Sequence, residues 1–377
     1  AAPAEGPPRW LWAGVLLAML GLAWTAAPRL SHSLWEDEEY MVVRSIAGRY
    51  EPADDGLRFH DVEWTDTFFY YRKPNNHVPY SVAARLSHDL WTAITRPKHE
   101  LASETAVRLP ALLAGMAGLT SLAWLLWRLE LPFAALAGAW LLALHPWYMR
   151  FASEVRGYAF LLALLPAVVI AAWRVLERGS WGRWAAYGAL QALLLWTYPG
   201  ALTVLIAANL FVLIEVLRRS ADARGVQLTR FLLANTGAGL AWLQMNLPNM
   251  MQFLPYTEVW TGEISRKLLS EIGSLLALGM PAAHLASGFV SLSDQLEAAP
   301  LPVLLLLCSL GGTFLLGAAR LAASPAGRLA LAVFLLPGPL TLLLAELRGD
   351  HLYPWYLIHA LPGAVALVAA GVMAPMA

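Results

Sequence analysis

The feature that most constrains this chain is the length of its uncharged runs. "WLWAGVLLAMLGLAWTAA", residues 10–27, carries no ionisable side chain over eighteen residues. A hydrocarbon core about 30 Å thick needs about 20 apolar residues to cross it as a helix. Similar runs recur to the end of the chain. Reading them with their charged ends gives about ten spans, at 10–27, 106–127, 131–148, 157–176, 184–198, 200–217, 231–247, 301–319, 328–345 and 355–373. Composition agrees: 58% of residues are hydrophobic and 14% charged, against about 25% charged in soluble domains. The reading is an all-α polytopic integral membrane protein. The first run also fits a signal peptide; the many spans behind it favour an uncleaved first span.

Alternating the spans sends Arg9, Arg128, Arg174, Arg178, Arg183, Arg218, Arg219, Arg224, Arg230, Arg320 and Arg328 to one side. Their links are short, so that side is expected to be cytoplasmic. Two long segments then fall outside, residues 28–105 and 248–300. The first holds thirteen of the 26 acids and five of the nine histidines. The second contains "EISRKLLSEIGSLLALGM", patterned as an interfacial amphipathic helix. Function is expected at the outer face, on the first segment and the turns near it. Zero net charge gives no support for nucleic-acid binding. Cys308, the one cysteine, is expected to be a small buried residue.

Four stretches carry candidate chemistry. "SLWEDEEYMVVRS" packs Glu36, Asp37, Glu38 and Glu39 together just past the first span. Like charges crowded beside lipid favour proton uptake, as a general base requires, though a solvated acidic turn has the same composition. On a helix, neighbours such as Asp37 and Glu38 diverge by about 100°, so the two can do different work. "NNHVPY" sets Asn75, Asn76 and His77 between Pro74 and Pro79; an ordinary helix start would read alike. "HPWYMRFASEVRGYAF" brings Arg150, Glu154, Arg156 and Tyr158 to an outer boundary that basic residues usually avoid. There Arg156 either pairs with Glu154 or presents its fork of donors to a phosphate. The last outer turn adds His351 and Tyr353. The acidic run leaves a divalent cation open, but no HxxxH, HExxH or DxD spacing supports one, and no nucleotide-binding fingerprint is present.

The order of these pieces, Asp37-Glu38, "NNHVPY", "SETAVRLPALLAGMAGL" and "FASEVRGYAF", resembles the GT-C glycosyltransferases of the protein mannosyltransferase and aminoarabinose transferase type, over roughly residues 10–200, with an echo in "YPWYLIHALPG". The resemblance implies one GT-C-like domain over 1–377, with the segment 28–105 catalytic. It implies transfer of a sugar, with inversion, from a polyprenyl-phosphate carrier to an unidentified acceptor on the periplasmic or extracellular face of a bacterial inner membrane. Asp37 would be the base and Glu38 its motif partner. Arg150, Arg156 and His77 would bind the donor and its phosphate, and Asn76, Glu154, Tyr158, His351 and Tyr353 would complete the pocket. The chain departs from the family pattern where Glu39 follows Asp37-Glu38 and where Trp355 replaces a frequent arginine. A transporter, a non-catalytic scaffold of the same fold, and a glycan polymerase or ligase are the competing readings. Spans nearly free of charge at their centres argue against the transporter, because transporters bind ions near the midplane.

Overall fold

The computed structural model describes residues 6–54, 56–72, 76–97, 101–253, 263–283 and 290–373. Asn75 and Pro74 of the sequence reading lie outside them. The chain begins with helix α1 (Arg9–Leu30), which buries Leu11, Val15, Ala18, Leu22 and Ala26 on one stripe. That three-to-four spacing is one face of a helix. A short helix α2 (Glu36–Met41) carries the acidic run and passes into a π-turn, Val42–Ile46. Strands β1 (Gly48–Ala53) and β2 (Gly56–Asp61) form an antiparallel hairpin with Tyr50 opposite Phe59 and Ala53 opposite Gly56. Helices α3 (Trp64–Phe69) and α4 (Val78–Thr95) return the chain to the bundle.

The bundle continues with α5 (Glu104–Arg128), α6 (Pro132–Leu144), α7 (Pro146–Phe151), α8 (Tyr158–Glu177), α9 (Trp181–Thr197), α10 (Leu202–Leu217) and α11 (Ala221–Phe253). The second long segment supplies α12 (Arg266–Leu278) and α13 (Leu292–Ala298). Then come α14 (Pro300–Ala322), α15 (Pro325–Leu335), α16 (Pro337–Arg348) and α17 (Leu361–Val372). The expected amphipathic helix is α12: the Ser265 hydroxyl caps its start by accepting the Leu268 N–H, and Gly279, at φ 70°, ends it in the left-handed region.

Seven helical stretches among the described residues are long and apolar enough to cross a membrane. The other three expected spans are helical but shorter or more polar. The 131–148 run breaks at His145, because Pro146 favours an extended residue before it and starts a new helix. The 184–198 run forms a 17-residue helix, α9. The 231–247 run lies inside α11, a 33-residue helix that carries Arg and Asp at its start and Asn and Gln along its length. Cys308, expected to be buried, is exposed on α14. That helix also exposes Leu304, Leu305, Leu315 and Leu316.

Close backbone approach builds the bundle where small residues meet. A Cβ on Gly317 or Gly371 would collide with the facing backbone of α17 or α14, the packing small residues permit between membrane helices. The two ends of the bundle differ in chemistry. Arg128 pairs with Glu177 at 3.4 Å where α5 and α8 finish. Arg219 and Arg230 reach the carbonyls of Leu176 and Gly179 at the same end. The opposite end gathers the finish of α1, the start of α5 and α8, the finish of α9 and the whole segment from α2 to α4.

Candidate functional site

Helix α2 sets the site, and it is held from inside. Glu38 is fully buried, and its carboxylate accepts Arg108 Nε at 3.0 Å and Arg108 Nη2 at 2.5 Å. It also accepts the Val155 N–H at 2.7 Å and reaches back to the Trp35 N–H at 3.3 Å. The last contact is the reach-back of an N3 acid to the start of its own helix. Arg108 spends its remaining donors on the carbonyls of Arg29, Leu30, His32 and Ser33. One ion pair therefore ties the end of α1, helix α2, the first turns of α5 and the 152–157 turn into a single knot. Every polar atom of such a pair must be satisfied for its burial to be tolerable, and here both partners are saturated.

Asp37, one residue earlier, turns the other way. It lies 3.2 Å from Arg156 Nη2, with its side chain 38% exposed and that of Arg156 9% exposed. Both line a cavity of about 950 Å³ at the end of the bundle. Asn76, His77, Tyr158, His351 and Tyr353 share its wall, as do Tyr198, Trp35 and Tyr356. Tyr353 and Trp355 stack with centroids 4.4 Å apart, and Tyr356 meets Tyr353 edge-on at 5.8 Å. The Arg156 guanidinium sits over the Trp35 and Tyr158 rings at 5.5 and 5.4 Å. Aromatic faces confine that guanidinium, and cation–π contact holds it within reach of Asp37.

The sequence reading thus places seven of its site residues on one wall: Asp37, Asn76, His77, Arg156, Tyr158, His351 and Tyr353. Three lie elsewhere. Glu38 is buried in its knot, where it holds α2, and does not line the cavity. Arg150 Nε donates to Glu154 Oε1 at 2.6 Å, so Glu154 pairs with Arg150 and Arg156 is left to Asp37. Burial pushes the Glu154 carboxyl above its ordinary value, against the pull of Arg150.

Two wall residues have roles other than those their types suggested. Asn76 donates to the carbonyls of Thr67 and Tyr70, at 3.1 and 3.2 Å, and accepts the Ser81 hydroxyl at 2.6 Å. It braces the loop ahead of α4. His77 Nδ1 lies 3.0 Å from the Thr197 carbonyl oxygen, which can only accept, so Nδ1 carries the proton. Burial and the nearby Arg156 lower the ring to about 4. Burial therefore favours the neutral ring, with Nε2 unprotonated. Gly157 makes room for it, since a Cβ there would strike the His77 side chain.

Arg108 and Arg44 were not singled out from the sequence. Arg108 sits inside "SETAVRLPALLAG", where a lone arginine a turn into an apolar run was itself the signal. Arg44 lines the cavity from the π-turn, a feature that often marks functional sites. Among the described residues no group of three or more His, Cys, Asp or Glu is placed to hold a metal ion.

The bundle as a whole is similar to that of ArnT from Cupriavidus metallidurans, solved bound to undecaprenyl phosphate. The TM-score is 0.54 at 13% sequence identity, over 97% of this chain and 60% of that one. The archaeal oligosaccharyltransferase AglB from Archaeoglobus fulgidus, solved with an inhibitory peptide and a dolichol-phosphate, matches at a TM-score of 0.48 and 12% identity, over 97% of this chain and 50% of that one. This chain thus spans about 60% of the length of the ArnT chain. No protein-family model and no curated protein matches the sequence. The class is a polytopic membrane protein, all-helical among the described residues apart from one short hairpin. Its fold is similar to that of ArnT.

Proposed function

We propose that the protein is a membrane glycosyltransferase that takes a sugar from a polyprenyl-phosphate carrier. The observation that carries this reading is the Asp37–Arg156 pair, 3.2 Å apart on the wall of an aromatic cavity. A carboxylate and a guanidinium on one cavity wall are the two groups a displacement at a sugar phosphate needs. The donor must part their 3.2 Å contact so that they serve opposite faces of the anomeric carbon. The acceptor hydroxyl attacks the anomeric carbon on the face opposite the phosphate, giving inversion. As the new C–O bond forms, Asp37 takes the hydroxyl proton. The bond from the anomeric carbon to the phosphate oxygen breaks with its electron pair, and Arg156 stabilises the charge that gathers there. Asp37 then returns its proton to water. The rings of Trp35, Tyr353 and Tyr356 offer apolar faces to the sugar, and the two tyrosines offer hydroxyls to its polar edge. The carrier bound to ArnT, undecaprenyl phosphate, is the donor chemistry this arrangement suits. The arginine-rich links at the far end of the bundle support a cavity that opens on the periplasmic or extracellular face.

Binding of undecaprenyl phosphate to the purified chain in nanodiscs tests the reading. Losing one charge-assisted contact typically weakens binding by about tenfold or more. Arg156→Gln should therefore lower carrier affinity by at least about tenfold and leave the thermal midpoint of the lipid-free protein nearly unchanged. An unaltered affinity with a lowered midpoint would make Arg156 a structural residue and remove the support for this site.

A further inference from the structure

A second cavity of about 470 Å³ borders the first, and it is lined by three arginines, Arg44, Arg49 and Arg72. Arg44 lines both cavities. Two carboxylates, Glu51 and Asp66, stand against the three guanidiniums, which leaves the balance positive. Glu51 holds Arg49 at 2.5 Å. Asp66, on the cavity wall, caps its own helix, with Oδ2 accepting the Glu63 N–H at 3.0 Å. Among the described residues the ion pairs nearest in sequence are Arg49–Glu51 and Arg85–Asp89, and neither takes up Arg44 or Arg72. Arg44 lies instead over the Tyr40 and Tyr70 rings at 5.8 and 5.7 Å, and its Nε is buried without a hydrogen-bond partner. The wall behind is rigid: Gln252 of α11 accepts the Tyr71 N–H at 3.0 Å and donates to the Phe69 carbonyl at 2.5 Å.

Guanidinium groups converging on one space repel unless an anion joins them, and a tetrahedral oxyanion matches their forks of donors. We infer that the second cavity binds a phosphate group carried by the acceptor. This rests on the reading of the main cavity as the transfer site. Arg44 is the hinge of the inference, because an acceptor phosphate held against it leaves a neighbouring hydroxyl at the boundary of the cavity that contains Asp37.

The probe is inorganic phosphate, followed by ³¹P line broadening on the full chain with undecaprenyl phosphate already bound. Phosphate should still bind, and Arg72→Gln should weaken it by about tenfold while leaving carrier affinity unchanged. Arg72 is exposed, so this variant tests the site without threatening the fold; Arg44→Gln should act in the same direction. Phosphate binding indifferent to Arg72→Gln, or displaced one-for-one by the carrier, would overturn the inference. Repeating the titration in phosphatidic acid and phosphatidylcholine nanodiscs separates two sources of the same chemistry. Phosphate lost only in phosphatidic acid assigns a lipid headgroup, and phosphate retained in both assigns a soluble acceptor. If wild-type protein binds phosphate but not undecaprenyl phosphate, the proposed function fails and the anion site stands.

Discussion

Two arginine–carboxylate pairs sit on adjacent residues of α2 and could hardly be less alike. The side chains of Glu38 and Arg108 are 1% and 4% exposed and joined by two hydrogen bonds. Those of Asp37 and Arg156 are 38% and 9% exposed and lie 3.2 Å apart. The inner pair is wholly consumed by the protein, with backbone partners for every remaining donor. The outer pair faces a cavity. Burial is thus the variable that divides two chemically similar carboxylates into one held inside the fold and one open to the cavity. A helix makes that division possible at a spacing of one residue, because consecutive side chains point about 100° apart.

The comparison breaks most visibly at Asp37. Asp37→Asn keeps the shape but cannot take a proton, so transfer measured with a polyprenyl-phosphate sugar should fall by about 10²–10⁴-fold. The thermal midpoint should barely move. Glu39→Gln, on the same cavity wall, should cost far less activity, and equal losses would leave the acids as an undifferentiated electrostatic surface. Arg108→Leu attacks the inner pair and should show the opposite profile. It strands the Glu38 charge in the interior, a change that typically costs about 3–5 kcal/mol. Its signature is a lowered chemical-denaturation midpoint, and the double variant Arg108→Leu, Glu38→Gln should recover part of it. A stable single variant would mean that water reaches Glu38.

The mildest effect concerns the neutral histidine beside the outer pair. His77 is held at about 4 against an ordinary 6.5. A depressed value means the neutral form is favoured by folding. Its contribution is therefore complete above about 6.5 and is lost as pH falls through about 4. Thermal midpoints of the wild-type protein should decline across that window. His77→Asn retains an N–H for the Thr197 carbonyl and should flatten the decline; an unchanged slope would assign it to other groups.

Much of this was legible in the chain. The spans announced themselves by length, and "EDEE" and "ASEVRGY" pointed to one wall because charge at the tip of an apolar run needs a reason. The hairpin was missed, although "EPADDGLRF" carries an Asp-Gly turn signal between strand-forming residues. The pairing of acids with arginines was not readable, because Glu38 and Arg108 lie 70 residues apart and Asp37 meets Arg156 only once α8 is packed. His77 shows a further limit. Its residue type suggested a cation, and only the packed structure, which buries the ring beside Arg156, lowers it to about 4.

The knot around Arg108 also orders events in time. A ribosome making about 5–20 residues per second finishes α2 several seconds before α5 is available, since 70 residues separate Glu38 from its partner. Throughout that interval the nascent chain holds an acidic segment with nothing to clasp it. Arrival of Arg108 fastens the end of the first helix, the acidic turn and the fifth helix in a single step. The wall that carries Asp37 therefore has an order of assembly written into it, because α2 is not clasped until a helix 70 residues downstream has been made.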